Sequence, residues 1–281
     1  MATLVVLGAG DLGGAAARQA VALAVTRQVV LVDDAADVAR GKALDIQQAA
    51  AIDGVAVSVS GTSDLGVVVG AAAIVLADRS GVSAAEHQGD AALRLIAQVR
   101  ALNAKALIVC AGATQLDLVE RAVRELGADA TRLAGSAPEA LRQGLVALVS
   151  LAAGSDPRAV SMLLLGRPPD RSVVAWNDAS IGGRRVADVL NPPAVARLEA
   201  RLPYLWPPGP LTLGAAAVGV VHTALTNGPA NPCLFIVPPA PGGGRGNGVV
   251  LPTAVSSHGL TPRWPALSPR DQMRLDTALA G

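Results

Sequence analysis

The first half of the chain alternates between short apolar runs and longer stretches whose apolar residues recur at helical spacing. The short runs predict β-strands, and the stretches between them predict helices. The predicted strands are Thr3–Leu7, Val29–Val32, Val55–Val59, Ala72–Ala77, Leu107–Cys110 and Leu133–Gly135. Strands that alternate with helices of this length favour a parallel sheet covered by helices on both faces. We therefore predict an α/β fold with a doubly wound parallel sheet for residues 1–137.

The pattern changes after residue 155. Short predicted strands are now separated by turns rather than by helices, and one of these turns is the glycine-rich stretch 242–248. Strands joined in this way favour antiparallel pairing. A helix that begins at Pro138 leads into this part, since proline is well tolerated in the first turn of a helix. We predict a second, α+β domain with antiparallel strands for residues 138–281.

A glycine-rich turn follows the first predicted strand directly. Its three glycines are spaced as GxGxxG, and a helix-compatible stretch comes next. Glycine permits a tight turn and a close approach of the backbone to a pyrophosphate, which the N–H groups at the start of the helix then bind. Asp33, which ends the second predicted strand, lies 20 residues after Gly13, where a carboxylate accepts ribose hydroxyls. We predict a Rossmann-type dinucleotide site formed by Gly8, Gly10, Asp11, Leu12, Gly13 and Asp33. The alternative is a glycine turn in an α/β domain that binds no nucleotide.

Composition and charge narrow the class of protein. The 281 residues are 51% hydrophobic and 16% charged, as in a globular protein. A net charge of +1 gives no electrostatic reason to expect nucleic acid or an anionic membrane as a partner. No apolar run is long enough to span a bilayer, and the first strand begins almost at residue 1, so we expect a cytoplasmic protein. Cys110 and Cys233 show neither disulfide nor metal-site spacing, and we expect no metal.

The order of the motifs resembles the lactate/malate dehydrogenase family over essentially the whole chain. Besides the glycine turn and Asp33, the matching motifs are Gly41–Asp45, Gly61–Asp64, Gly248–Pro252 and Ser257–Gly259. The resemblance implies NAD as the cofactor, a small carboxylate (a 2-hydroxy or 2-oxo acid) as the substrate, and a homodimer or homotetramer. Asp33 favours NAD over NADP, because its carboxylate would repel a 2′-phosphate. The alternative is a Rossmann-type protein with an unrelated second domain.

The resemblance also implies a catalytic set: a histidine base held by a carboxylate, an arginine that binds the substrate carboxylate, a loop arginine and an asparagine. In this chain Arg142 matches the carboxylate-binding arginine, and Glu139 stands where the family has its orienting aspartate. An ion pair between these two residues, three positions apart on one helix, is the simpler alternative. The other three positions have lost their polar groups: they hold Pro168 for the histidine, Ala84 for the loop arginine and Ala111 for the asparagine.

Two hypotheses about function follow from these substitutions. Proline has no titratable group, so Pro168 cannot accept the proton that dehydrogenation of a hydroxy acid releases. The first hypothesis is an NAD-dependent oxidoreductase that is weakly active or has shifted to an unusual substrate. The second is a non-catalytic nucleotide-binding relative, or a scaffold. His87, on the helix after the shortened loop, is a further candidate for the cleft, against the alternative of a surface histidine.

Overall fold

The computed structural model describes residues 2–81, 85–239 and 246–280. Its α-helices are α1 (Asp11–Ala22), α2 (Ala36–Ile52), α3 (Gly89–Leu102), α4 (Leu116–Glu125), α5 (Ala137–Ala153), α6 (Val186–Val189), α7 (Pro192–Arg201), α8 (Pro210–Thr226) and α9 (Pro269–Ala280). Its strands are β1 (Thr3–Leu7), β2 (Gln28–Val32), β3 (Ser58–Thr62), β4 (Ala73–Leu76), β5 (Leu107–Cys110), β6 (Leu133–Gly135), β7 (Val160–Ser161), β8 (Leu164–Arg167), β9 (Arg171–Val174), β10 (Ser180–Ile181), β11 (Arg184–Arg185), β12 (Cys233–Ile236), β13 (Val249–Ser256) and β14 (Gly259–Pro262).

Eleven strands of the described residues form one sheet, in the order β3-β2-β1-β4-β5-β6-β12-β13-β8-β9, with β14 paired to β13. The pairs from β3 to β6 are parallel, and those from β6 onward are antiparallel. This arrangement confirms the predicted fold class. Because β12 pairs with β6, the sheet is continuous across the predicted boundary between residues 137 and 138. The division into two domains stays a prediction.

The strands at the centre of the sheet are apolar on both faces. In β1 the side chains of Leu4, Val5 and Val6 have no exposed surface, as expected for a parallel strand with helices on both sides. Helix α1 covers part of this sheet with small residues and packs in turn against α8. At that contact a Cβ on Gly214 would lie 2.7 Å from the amide nitrogen of Ala16. The two helices can approach this closely only because glycine has no side chain.

The third strand lies three residues later than its apolar run predicts. The run Val55–Val59 predicts the strand, but β3 is Ser58–Thr62, and it pairs with β2 from Gln28–Ser58 to Val32–Thr62. Gly61 therefore lies inside the strand, where a Cβ would be 2.2 Å from the carbonyl carbon of Ala39 in α2. Close packing of α2 on β3, rather than local hydrophobicity, selects this register.

Two other predicted elements differ in extent. The predicted strand from Val160 to Leu165 is divided into β7 and β8, which belong to different sheets. The helix predicted from Ala84 begins at Gly89, and Ala84 itself lies outside the described residues. No single helix of the described residues is long and apolar enough to cross a bilayer. A bent pair of helical segments, Pro192–Leu205 and Pro210–Thr226, is long and apolar enough only when the two are taken together.

Candidate functional site

The predicted site lies where the strand order of the sheet reverses. Strands β1 and β4 are neighbours there, although they are not consecutive in the chain. In open α/β sheets, ligands bind outside the carboxyl ends of the strands at such a switch point. We call the space outside the carboxyl ends of β1, β2, β4 and β5 the crevice.

The glycine turn at the crevice has the geometry that the sequence predicts. Gly8 adopts φ +107°, and a Cβ on it would lie 2.1 Å from the carbonyl oxygen of Asp78. A Cβ on Gly13 would lie 2.0 Å from the carbonyl oxygen of Gly8. Glycine is therefore required at both positions, and α1 begins at Asp11 immediately after the turn.

The N–H groups at the start of α1 already have a carboxylate partner. Asp78 accepts hydrogen bonds from the Leu12 N–H through Oδ2, at 3.1 Å, and from the Gly13 N–H through Oδ1, at 2.8 Å. A Cβ on Gly10 would lie 2.3 Å from Asp78 Oδ2, so the carboxylate lies directly against the turn. An anion of the chain itself thus occupies the position expected for a pyrophosphate.

Lys42 of α2 adds a positive charge beside the same turn. Its Nζ donates to the carbonyl oxygen of Gly10 at 2.7 Å, and its side chain packs against Gly14. Lys42 belongs to the Gly41–Asp45 motif, and the sequence alone gave it no role. Its ammonium group lies close enough to the turn to add to the attraction for an anion there.

The carboxylate predicted to bind ribose is also fully hydrogen-bonded within the chain. Asp33 accepts from the N–H groups of Ala9 (2.8 Å), Ala35 (3.0 Å) and Ser80 (2.9 Å), and from the Ser80 hydroxyl (2.8 Å). Burial by itself raises the pKa of Asp33, but these four hydrogen bonds together outweigh it and lower the pKa below its usual value.

A third carboxylate from the same part of the chain binds the loop after β5. Glu86 accepts from the Ala113 N–H at 2.9 Å and from the N–H and hydroxyl of Thr114 at 2.7 and 2.6 Å. A Cβ on Gly112 would lie 2.3 Å from the Glu86 carboxyl carbon. Ala111, which the sequence resemblance matches to the family's asparagine, is fully buried beside this contact.

A cavity of about 210 Å³ lies beside Asp33, with Asp34, Ser63, Arg79 and His87 among its lining residues. His87 therefore enters this end of the crevice. Burial, and next the positive charge of Arg79, lower the pKa of His87, while Asp33, Asp34 and Asp78 act in the opposite direction. The imidazole is thus neutral over a wider pH range than a free histidine.

The two predicted catalytic residues bind each other. Arg142 donates to Glu139 from both Nε, at 2.8 Å, and Nη2. Glu139, 6% exposed, also accepts from the Gln143 side chain and the Cys233 N–H, each at 2.8 Å. The pair therefore has the i,i+3 geometry that the simpler alternative predicts. Burial lowers the pKa of Arg142 and the contact with Glu139 raises it, so that the pKa is raised overall. A role for Arg142 in binding a carboxylate stays a prediction.

The pair lies on the wall of a second cavity, of about 400 Å³, that is bounded mainly by α5 and α8. Polar side chains of this wall include Gln143, Thr212, Thr223 and Asn231. The guanidinium of Arg142 also donates from Nη1 to the carbonyl oxygen of Met162 at 3.4 Å. Its charge is therefore already compensated on the wall of this cavity.

Pro168 lies in the turn between β8 and β9, where it offers no proton acceptor. The preceding residue, Arg167, forms an ion pair with Glu120 of α4 at 2.8 Å and lies 5.9 Å from the centre of the Phe235 ring.

The two cysteines are buried free thiols, and burial raises the pKa of each to about 12. In the described part of the chain, no group of three or more histidine, cysteine or acidic side chains is placed to hold a metal ion.

From the sequence alone, Asp78, Ser80 and Glu86 receive no role in the predicted site. The position of Asp78 in the chain could have indicated its role. It comes two residues after β4, and the carboxyl ends of neighbouring parallel strands meet at one edge of the sheet. A carboxylate there must lie close to the glycine turn that ends β1.

Comparison with known sequences gives two partial matches. No family model matches the chain. A curated L-lactate dehydrogenase of Allorhizobium ampelinum is 28% identical over 188 residues, which cover 63% of this chain and 59% of that protein. A malate dehydrogenase of Pelagibacter ubique is 42% identical over 64 residues, 23% of this chain and 20% of that protein. The matched region is thus less than two thirds of the length of either relative.

Solved structures match over nearly the full length. A lactate dehydrogenase from Cryptosporidium parvum, in complex with lactic acid and NAD, superposes with a TM-score of 0.86 at 20% identity. A malate dehydrogenase from Plasmodium falciparum, in complex with NADH, superposes with a TM-score of 0.87 at 15% identity. Each alignment covers 99% of this chain and 95% of the other. The curated relatives indicate the lactate/malate dehydrogenase family, as the order of the sequence motifs predicts, and the superposed structures show that this chain has the same fold.

Proposed function

We propose that this chain is an NAD-binding relative of the lactate and malate dehydrogenases, an oxidoreductase by descent, that does not carry out ordinary dehydrogenation of 2-hydroxy acids. The observation that carries the proposal is the closed ion pair between Glu139 and Arg142, combined with proline at the base position. The related fold that binds NAD in the Cryptosporidium enzyme and NADH in the Plasmodium enzyme supports the choice of cofactor.

The chemistry of the reaction explains why these changes matter. Oxidising a 2-hydroxy acid requires a group that takes the hydroxyl proton while a hydride leaves the carbon, and such a group contributes about 10²- to 10⁴-fold to the rate. Pro168 cannot supply it. Binding the substrate carboxylate requires a guanidinium that is free to pair with it, whereas three of the five N–H donors of Arg142 already bind Glu139 or a backbone carbonyl, and its charge is compensated by Glu139. The proton acceptor is therefore missing, and the arginine would have to be shared between Glu139 and a substrate.

The residues that would hold NAD lie along the crevice. The N–H groups of the glycine turn and of Asp11, Leu12 and Gly13 would face the pyrophosphate, and Asp33 would accept the ribose hydroxyls. The acidic pair Asp33 and Asp34 favours NAD over NADP, because a 2′-phosphate beside them would be repelled. When bound, the nicotinamide would supply a hydride acceptor; the chain's own residues would only bind and orient the cofactor.

A second candidate is an NAD-dependent oxidoreductase with a shifted substrate. The 400 Å³ cavity beside Arg142 favours it, because Gln143, Thr212, Thr223 and Asn231 provide hydrogen-bonding groups for a ligand without a carboxylate. Such an enzyme would need a proton acceptor other than Pro168.

Fluorescence titration with NADH, followed by addition of oxaloacetate or pyruvate, separates these functions. We expect NADH to bind and its absorbance to stay constant after either oxo acid is added. Rapid NADH oxidation with either oxo acid would refute the proposal, and absence of any NADH binding would reduce the chain to a scaffold.

A restored variant tests whether the missing groups are the whole difference. We expect Pro168→His combined with Ala84→Arg and Ala111→Asn to gain little oxo-acid reduction while the Glu139–Arg142 pair is intact. Adding Glu139→Asp, which shortens the acid, should raise that activity because it loosens the pair. Pro168→Ala is the matched control and should be inactive. Strong activity of the triple variant alone would show that the pair does not block the site.

Assembly and location belong to the same proposal. The family resemblance leads us to expect a homodimer or homotetramer in the cytoplasm. Sedimentation equilibrium would test the first expectation, since a monomer across the micromolar range would contradict it.

A further inference from the structure

The chain occupies its own nucleotide crevice with side chains of one short segment. After β4, Asp78 binds the N–H groups of Leu12 and Gly13, and Ser80 binds Asp33 with both its N–H and its hydroxyl. The segment is held in place by backbone hydrogen bonds, from Arg79 N–H to the carbonyl oxygen of Ala85 at 2.9 Å and from His87 N–H to that of Ala77 at 3.0 Å.

Each of these contacts has the chemistry of a nucleotide contact. The Asp78 carboxylate is an anion with two oxygens on adjacent N–H groups at a helix N-terminus, which is how such a terminus binds phosphate. The Ser80 hydroxyl donates to Asp33 as a ribose hydroxyl does when it is bound by the acid at the end of the second strand. One segment therefore reproduces both the phosphate contact and the ribose contact.

We propose that Asp78 and Ser80 are an internal substitute for the phosphate and the ribose hydroxyl of a nucleotide, so that NAD must displace both residues to bind. The inference rests on the proposed function, since it takes NAD as the ligand. Asp78 sets the affinity more strongly than Ser80, because a pyrophosphate and a carboxylate at the same N–H groups repel each other.

The glycine turn explains why Asp78 can reach this position. A Cβ on Gly10 would lie 2.3 Å from Asp78 Oδ2, so the turn leaves room for an anion, and Asp78 fills that room. Glu86 reinforces the segment from its other side through the N–H groups of Ala113 and Thr114. Displacement of Asp78 thus breaks two charge-assisted hydrogen bonds without removing the anchor at Glu86.

The test is a fluorescence titration of NADH against the wild-type chain and Asp78→Ala. The variant frees two N–H groups and removes a negative charge, and we expect NADH to bind at least about 10-fold more tightly to it. Ser80→Ala should tighten binding less, because it removes only the hydroxyl contact to Asp33, while the backbone N–H of residue 80 keeps its own. ADP, measured by calorimetry, should show the same order of affinities as NADH.

Asp129→Ala is the matched control. Asp129 also caps a short turn, accepting from the Thr131 N–H at 2.9 Å, but it precedes β6 and so lies at the opposite edge of the parallel sheet. Loss of a capping carboxylate should lower the unfolding midpoint of both aspartate variants. Only Asp78→Ala should also bind NADH more tightly. Asp78→Asn, which keeps the shape and loses the charge, provides a second variant should Asp78→Ala not fold.

The outcomes separate the two proposals. Tight NADH binding by the wild-type chain, unchanged in Asp78→Ala and Asp78→Asn, would overturn the inference and leave NAD binding intact. Absence of NADH and ADP binding in the wild type and in every folded variant would overturn both the inference and the proposed function. A gain confined to the Asp78 and Ser80 variants would support both.

Discussion

Glu139 shows how a buried acid can be satisfied by donors that lie close to it in the fold. A buried carboxylate must have its lone pairs satisfied, and Glu139 satisfies them with donors from three residues: Arg142, Gln143 and Cys233. Among the residues that the structure describes, no donor from the turn that contains Pro168 takes part. The acid that the sequence resemblance matches to the family's orienting aspartate thus compensates an arginine of its own helix.

The first prediction concerns this buried pair. We expect Glu139→Ala to lower the free energy of unfolding by about 3–5 kcal/mol, because it leaves the buried guanidinium of Arg142 without a counter-charge. Urea denaturation measures the change. The exposed i,i+3 pair Arg185–Asp188 is the control, and Asp188→Ala should leave the urea midpoint unchanged. Equal effects of the two variants would contradict the argument.

The second prediction concerns His87 and pH. Burial and Arg79 lower the pKa of this histidine in the folded chain, although Asp33, Asp34 and Asp78 oppose them. As pH falls below about 6.5, the unfolded chain takes up a proton before the folded chain does, so the folded state loses stability.

Urea midpoints at pH 7.5 and 5.5 measure this effect. His87→Gln should reduce the loss of stability on acidification, and the same change at the exposed His258 is the matched control. An unaltered pH dependence in His87→Gln would show that the folded and unfolded chains bind this proton equally.

At the scale of elements, the close approach of two helices depends on a residue that lacks a side chain. Helices α1 and α8 meet where Gly214 lies against Ala15 and Ala16. Helix α8 also contains Gly219, where a Cβ would meet no atom within 4 Å. A close contact therefore requires Gly214 to lack a side chain, whereas Gly219 has space for one.

The third prediction compares these two glycines. Gly214→Ala should destabilise the chain by about 1–3 kcal/mol, because the added methyl group forces α1 and α8 apart. Gly219→Ala should be neutral or stabilising by up to about 1 kcal/mol, since alanine favours the helix more than glycine does. Thermal unfolding measures both variants, and a stable Gly214→Ala variant would mean that the helices adjust without cost.

At the scale of the whole molecule, one sheet joins the two predicted domains. Strand β12, from the second half of the chain, pairs with β6 at Phe235 and Gly135. The core is therefore continuous from the parallel strands to the antiparallel ones. A continuous core favours unfolding as one unit.

The fourth prediction is a single cooperative unfolding transition. All three tryptophans, Trp176, Trp206 and Trp264, lie after residue 138. Tryptophan fluorescence therefore reports on the second half, whereas far-UV circular dichroism reports on all helices and strands. We expect the two urea curves to coincide. A separate transition in circular dichroism alone would show that residues 1–137 unfold independently, in support of two domains.

The elements that the sequence predicts well are those whose first and last residues are marked by nearby residues in the chain. Strand β1 is a short apolar run closed by a glycine turn, and α5 has Pro138 in its first turn and is capped at its end by Gly154, which adopts φ +59°. Helix ends and tight turns depend on residues within a few positions of each other. For this reason the order of elements and the glycine turn could be predicted before the fold was known.

The crevice could not be predicted in the same way. Asp78 contacts residues 65 and 66 positions away, and Ser80 contacts an acid 47 positions away. These partners meet only because β1, β2 and β4 end at the same edge of a parallel sheet. The sequence by itself determined which positions could form strands, helices and a phosphate-sized turn. The tertiary structure alone decided that the chain's own carboxylate occupies that turn, because long-range strand pairing brings the two together.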